Sequence, residues 1–544
     1  MRHDISGWDV QWNEKHAAQW VADGKWPNRT LADAARDTAS THPGRVTQVC
    51  GGREVTAGEV WDGATRLASA LWALGFRAGD VVAFQIPNWH ESAFIDVAAC
   101  MLGLVVCPIV PIYRDREVEL ILSDSRAKGI FVAQNFRGFD YAGMLARLRP
   151  ALPELQHVWT VRGDADDGDL RGLMADAAPL PELPFVSPDA VKLVLYTSGT
   201  TGRPKAVLHS HNTLLRAALF CAEQWGIQPG DTTLMPSPVT HVTGFCHGIE
   251  MPFFVGTRCV LMEKWNAAEA AAIIDREKVS FTIGATPFLQ ELMDVAQAKG
   301  LTLPSLRLFP CGGAAVAPEI IYRVARVLPN CRSFRVYGSS EAPQITLGFT
   351  GAGQQQLAAE TDGQVRDYEV RVIDAGGQVL ATGQEGELCA RGPSLCLGYA
   401  DAAQSSEAFD GEGFFHTGDI GFLTADNAVV FTGRIKDLIN RGGEKISAKE
   451  VEDLLHQHSG VLAAAVVAMP HTRLGETICA YIVLRPDQQV SAQDITALLD
   501  KAGIARQKYP ERFVFVDQFP TTASGKVKKD LLRADVRERL RAES

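Results

Sequence analysis

The stretch from Val191 to Trp225 constrains the fold more than any other part of the chain. "VKLVLY" (191–196) is an apolar run of strand length, and "HNTLLRAALFCAEQW" (211–225) sets Leu214, Leu215, Ala218, Leu219 and Ala222 on one helical face. Between them, "TSGTTGRPKAV" (197–207) gathers hydroxyls, glycines, an arginine and a lysine. A glycine-hydroxyl loop between strand and helix offers backbone N–H groups and movable side-chain donors, the groups that hold phosphate oxygens. The plainer alternative is a polar surface loop, since Gly, Ser and Thr dominate loops anyway. A P-loop is excluded: Gly202 is followed by Arg203 and Pro204, and Lys205 by Ala206, so the lysine and metal-binding hydroxyl of Walker A are out of place.

Helix and strand alternate through the first half. Thr56 and Glu59 form a capping box ahead of "VWDGATRLASALWALG", and the strand "VVAFQIP" leads to a helical run over Glu91–Cys100. "FTIGA" precedes a helix with Pro287 near its start, and "LRLFP" precedes "CGGAAVAPEIIYRVARVL". This repetition predicts two mostly parallel α/β subdomains, with "APLPELPFVSP" (178–188) as an internal linker. From about 350 to 433 short strands and glycine turns ("YEVRVIDAGGQVL", "GELCAR", "AVVFTG") predict an antiparallel, β-barrel-like subdomain. Beyond "GRIKD" a second capping box, Ser447 with Glu450, opens a small α+β unit.

At 544 residues the chain needs at least two domains. A net charge of −11 argues against nonspecific binding to nucleic acid or anionic membrane. No apolar run approaches the roughly 18 residues that span a bilayer, and the N-terminus lacks a signal-peptide core. Eleven scattered cysteines without a C-x-x-C pair read as buried free thiols, and together these features predict a cytoplasmic enzyme. The oligomeric state is left open, a dimer included.

Five motifs follow the opening loop in order: "YGSSEA" (337–342), "GELCARG" (386–392), "HTGD" (416–419), "GRIKDLINRGGEKISAKEVE" (433–452) and "PTTASGKVKK" (520–529). With the loop they resemble the adenylate-forming superfamily of acyl-CoA synthetases, peptide adenylation domains and luciferases, from roughly residue 30 to the C-terminus. The resemblance implies residues 1–433 as a large N-terminal domain, 434–437 as a hinge and 438–544 as a small mobile domain. It also implies attack of a carboxylate on the α-phosphate of ATP, giving acyl-AMP, and then displacement of AMP by the thiol of CoA. Three anionic groups crowd together in the first step, so charge neutralisation and positioning would carry the catalysis.

On the family pattern Thr197, Ser198, Gly199, Thr200, Thr201, Gly202 and Lys205 would wrap the β- and γ-phosphates. Glu341 would bind Mg²⁺, with Gly338 and Ser340 in the same nucleotide-binding turn. Tyr337 would stack on adenine, opposite the Gly312–Gly313–Ala314 turn. Asp419 would take the ribose hydroxyls, and Arg434 would reach the ribose and phosphate. Lys526 would swing in to bridge carboxylate and α-phosphate, in a context where relatives acetylate this lysine; Lys528 and Lys529 read as solvated charges. Lys436 matches the hinge, Gly443 the pantetheine tunnel and Lys445 a neighbour of the nucleotide or substrate after rotation. His241 matches a gate of the acyl pocket, and His416 reads as a support for the turn carrying Asp419. Asn440, lysine in some relatives, receives no role.

Two rivals to a CoA ligase stay in view. A stand-alone enzyme loading a carrier protein would share the N-terminal "VADGKWPNRTL", but such aryl ligases carry asparagine where this chain reads "THVTG". A non-catalytic nucleotide-binding regulator would have lost groups that are all present here. The pocket stretches implied by the family (237–246, 284–289, 312–316, 339–346) hold no evident cation for a second carboxylate, which predicts an acid with an uncharged tail of modest size. "GATPFLQELM" is similar to ligases for cyclohexanecarboxylate and related ring acids; benzoates and short- to medium-chain fatty acids stay open.

Overall fold

A computed structural model describes residues 1–163, 168–175, 184–197, 204–313, 316–522 and 526–543. Two predominantly parallel sheets form the first two thirds. In the first, strands 81–85, 105–108, 127–133, 157–161 and β1 (Val191–Thr197) run parallel, and β2 (Lys205–Ser210) closes one edge antiparallel to β1. The second has seven strands, parallel except for the edge hairpin 46–50/53–56. Helices cover such sheets on both faces, which is why their strands read as continuous apolar runs: Val81 to Gln85 are all buried.

The predicted caps hold with one difference. Thr56 and Glu59 exchange both bonds of the capping box at the helix Ala57–Ala73. Ser447 accepts from the Glu450 N–H, but the Glu450 carboxylate is drawn off to Lys508 Nζ at 2.7 and 2.8 Å, so the second half of that box is not made. A charged donor outbids a backbone amide for the carboxylate.

β2 was not foreseen. The chain leaving β1 does not pass directly into the helix; it returns antiparallel, Lys205 opposite Thr197, before α1 (His211–Trp225) starts on a Ser210 cap. Beyond the parallel sheets, strands Glu369–Ile373, Gly386–Arg391, β3 (Phe415–Leu423) and β4 (Val429–Arg434) make the predicted antiparallel subdomain. A 3₁₀ turn, Ile435–Asp437, leads to the C-terminal unit. There β5 (Leu438–Arg441), β6 (Glu444–Ser447) and strands 461–471, 475–484 and 512–515 form a five-stranded sheet. Ile439, Ile446, Val451, Leu455, Val466 and Ile478 give this unit its own core. The tail helix Lys529–Glu543 lies on it, and Lys529 is no solvated charge: it pairs with the buried Glu452 at 2.7 Å.

One buried charge interrupts β1. Lys192, 1% exposed, ion-pairs with Asp96 Oδ2 at 3.2 Å and with Glu250 at the end of a π-helical turn, Phe245–Glu250. This cluster ties the strand that feeds the glycine-hydroxyl loop to the segment following His241. All eleven cysteines are free and buried, as the sequence predicts. Among the described residues no helix is long and apolar enough to cross a membrane.

Candidate active site

The site forms where β1, β2, the 337–346 turn, β3 and β4 meet the C-terminal tail. Ser198, Gly199, Thr200, Thr201, Gly202 and Ala314 lie outside the described residues. Thr197 and Lys205 mark the two ends of the loop. An extended segment lies along β2: Leu397 N–H donates to Leu208 O (2.7 Å), Leu208 N–H to Gly398 O (2.9 Å) and Ala400 N–H to Ala206 O (2.9 Å).

The 337–346 turn is tight. A Cβ on Gly338 would sit 2.5 Å from the Gln344 nitrogen, and one on Gly312 2.5 Å from the Val336 carbonyl oxygen, so both positions exclude side chains. The Ser340 carbonyl is within 2.7 Å of His209 Nε2, which is the donor there. Glu341 is gripped twice by the segment beside β2: Cys396 N–H donates to its carbonyl (2.7 Å) and the Tyr399 hydroxyl to Oε1 (3.0 Å). A carboxylate has about four lone-pair sites, so capacity is left for a hard cation, and the donor fits Mg²⁺.

The residues expected to meet the nucleoside sit on paired strands. Asp419 of β3 faces Arg434 of β4, with Oδ1 2.9 Å from Arg434 Nε, while Tyr337 OH donates to Oδ2 at 2.8 Å. No aligned hydrogen bond from the described residues reaches Oδ1, so it can still accept one. Burial raises the Asp419 carboxyl, opposed chiefly by Arg434. Burial disfavours charge on Arg434 too, yet Asp419 and Asp437 hold its guanidinium above the usual range. Tyr337 packs one ring near-parallel to Phe431, 6.1 Å between centroids. The Asp419 turn is supported as expected: Glu387 accepts from the Gly418 N–H (3.1 Å) and pairs with His416 Nδ1 (3.2 Å). Glu387, Cys389 and His416 set donor atoms within 4.8 Å of one another, but burial pushes the Cys389 thiol up to about 12 and Glu387 is already engaged, which disfavours a metal there.

Lys526 enters this cluster from the tail. A Cβ on Gly313, whose φ is +75°, would lie 3.6 Å from Lys526 Cε. Burial lowers the Lys526 ammonium, and Arg434 adds to this, while Asp419 and Glu341 oppose it. Its charge also reaches His241, lowered to about 4 first by burial and then by Lys526. His241 Nδ1 accepts from the Thr243 N–H at 3.4 Å, which leaves the proton on Nε2. Lys436 in the 3₁₀ turn is lowered by burial and by Arg434.

Gly443 and Lys445 are not brought in. Both are exposed on the β5–β6 hairpin, where Gly443 has φ +97° and donates its N–H to Asn440 Oδ1 at 3.1 Å. Asn440, given no role from the sequence, therefore fastens that hairpin. Tyr399 was also missed: nothing in "CLGYAD" marks it until the segment is seen beside β2.

His209, His241 and His247 are each lowered to about 4, in every case chiefly by burial. The unfolded chain binds those protons near 6.5, so this part of the stability is full above pH 6.5 and is lost as the pH falls toward 4. We expect the thermal midpoint to drop by several degrees over that window, and His247→Gln to remove about a third of that drop, since one of three similarly shifted imidazoles is lost. A midpoint that is flat between pH 6.5 and 4 would contradict neutral buried imidazoles.

Residues 35–400 match the AMP-binding enzyme family, and residues 450–526 match the AMP-binding enzyme C-terminal domain. The chain is 33% identical over 539 residues to the medium-chain fatty-acid–CoA ligase of Escherichia coli K12, covering 98% of this chain and 94% of that protein. It is 32% identical over 537 residues to the 2,3-dihydroxybenzoate-AMP ligase of Bacillus subtilis 168, covering 98% of each. Among solved structures, the anthranilate CoA ligase AuaEII in complex with anthranoyl-AMP superposes with a TM-score of 0.85 at 25% identity, over 94% of this chain and 97% of that one. The chain belongs to the AMP-binding enzyme family, and its fold is that of the adenylate-forming enzymes.

Proposed function

We propose that this AMP-forming acyl-CoA ligase works in the cytoplasm on a carboxylic acid with an uncharged tail of modest size, alicyclic, aromatic or short- to medium-chain. The observation that carries the reading is the place of Lys526 beside the Gly313 turn, where its charge is felt by Asp419, Arg434, Glu341 and His241. A carboxylate oxygen of the acid attacks the α-phosphorus of ATP, the bond to the bridging oxygen breaks, and pyrophosphate leaves with that electron pair. Lys526 binds the carboxylate and the α-phosphate oxygens as charge shifts between them. Lys205, Thr197 and the loop 198–202 hold the departing pyrophosphate. Asp419 accepts from the ribose hydroxyls, Arg434 steadies ribose and phosphate, and Tyr337 packs against adenine opposite Gly312 and Gly313. Glu341, in the turn of Gly338 and Ser340, would hold Mg²⁺, which supplies further charge neutralisation at the phosphates. His241 closes the acid pocket.

For the second step, residues 438–544 turn about Lys436 within a 434–437 hinge, withdrawing Lys526 and bringing Gly443 and Lys445 to the site. The separate core of the small unit and the 3₁₀ turn at 435–437 support this division. The CoA thiol then attacks the acyl carbon and AMP leaves. Relatives named for medium-chain fatty acids and dihydroxybenzoate support the acid class, and eleven buried free thiols support a reducing compartment. Carrier-protein loading is the second reading, kept because a similar protein is named as a 2,3-dihydroxybenzoate-AMP ligase, with no CoA in that name.

The test is a panel of acids assayed with ATP and Mg²⁺, with and without CoA. We expect AMP and an acyl-CoA in the presence of CoA for ring or medium-chain acids. Release of ADP, or no nucleotide cleavage with any acid, would overturn the reading. Adenylate formation that CoA never discharges would favour the carrier protein.

A further inference from the structure

Tyr399 touches two groups that the proposed chemistry needs. Its hydroxyl donates to Glu341 Oε1 at 3.0 Å, and its ring lies under the Lys205 ammonium, 4.7 Å from Nζ to the centroid. Its backbone is held on both sides: the Tyr399 N–H donates to Ser405 Oγ at 2.8 Å, and the residue bridges to Val207 of β2. The residue is 2% exposed, while Glu341 and Lys205 are half-buried.

We propose that Tyr399 is a positioning residue that fixes the Glu341 carboxylate toward the divalent cation and the Lys205 ammonium toward the phosphates, coupling the two as one unit. This rests on the roles proposed above for Glu341 and Lys205. The geometry suits the task. A long carboxylate side chain loses rotamer freedom when one oxygen is pinned, leaving the other oxygen and the remaining lone pairs aimed for a metal. A lysine on a flexible stem is steadied over an aromatic face without losing its charge. An aromatic at this place without a hydroxyl would keep the lysine contact and lose the carboxylate contact, which separates the two functions experimentally.

The test uses the full-length protein and a readout other than turnover: calorimetric titration of Mg²⁺ into enzyme saturated with the α,β-methylene analogue of ATP, and of the analogue without metal. Tyr399→Phe should weaken Mg²⁺ by about tenfold, the scale of a hydrogen bond to a charged group, and leave metal-free analogue affinity unchanged. Tyr399→Leu should also weaken the metal-free analogue, by about threefold or more. Glu341→Gln should lose Mg²⁺ affinity by itself, and Tyr399→Phe should add nothing in that background. If Glu341→Gln weakens Mg²⁺ and Tyr399→Phe does not, the inference fails while the Glu341 role stands. If Glu341→Gln leaves Mg²⁺ affinity intact, the parent reading fails first. If Tyr399→Phe lowers the thermal midpoint and metal-free affinity together, Tyr399 is a structural brace and the inference is overturned.

Discussion

Replacing Lys526 by alanine should reduce acid-dependent pyrophosphate release by about 10²–10³, the usual cost of removing one preorganised donor to developing charge. The same variant should convert a supplied acyl-adenylate and CoA to thioester at close to the normal rate. The asymmetry follows from geometry. Lys526 approaches Gly313 and feels Asp419, Glu341 and Arg434, so it stands among the groups assigned to the nucleotide rather than on the β5–β6 hairpin. Its ammonium is lowered by burial and by Arg434, and it gains most from a new negative charge, which the crowded phosphate and carboxylate provide. Arginine should rescue poorly, because its planar fork does not fill the place of a compact point charge. The measurement is single-turnover kinetics of each half-reaction. Equal losses in both would remove the tail lysine from the first step specifically.

Gly443→Leu should produce the opposite pattern: near-normal pyrophosphate release and thioester formation reduced by about 10²-fold, the loss expected when a reacting group is displaced by an ångström or more. No atom lies within 4 Å of a Cβ built at Gly443, so in this pose the position has room. Its backbone does not, since φ is +97° and L-residues rarely adopt it. Gly443→Ala therefore serves as the control for backbone strain. If Ala and Leu impair the second step equally, the cause is hairpin conformation; if only Leu does, the cause is bulk in the path of the thiol arm. Loss of pyrophosphate release in the leucine variant would contradict the rotation.

The parallel sheets were legible because fully buried strands leave unmistakable apolar runs, as at 81–85 and 191–196, and because caps such as Thr56 with Glu59 are local chemistry. The groups proposed for the site were named from ordered motifs, and Tyr337, Asp419 and Arg434 do lie together. What escaped depends on distant partners. β2 has only Ala206–Leu208 as an apolar run, too short to mark a strand between Lys205 and His209, and becomes one by pairing with β1. Lys529 looked solvated because Glu452, 77 positions away by number, is not visible from its neighbours. Tyr399 and Glu341 meet through a hydrogen bond spanning 58 residues.

The Lys192–Asp96–Glu250 cluster bears on how such an enzyme can change. One lysine faces two carboxylates there, none of the three more than 1% exposed, on strand, helix and π-turn respectively, and burial raises both carboxyls. Exchange of Lys192 leaves two buried carboxyls without their cation, and loss of either acid leaves the lysine a single partner, whereas a joint swap for apolar residues of similar volume strands no charge. Change at these positions should therefore proceed by concerted replacement, and laboratory libraries that exchange Lys192 alone should recover mostly misfolded clones.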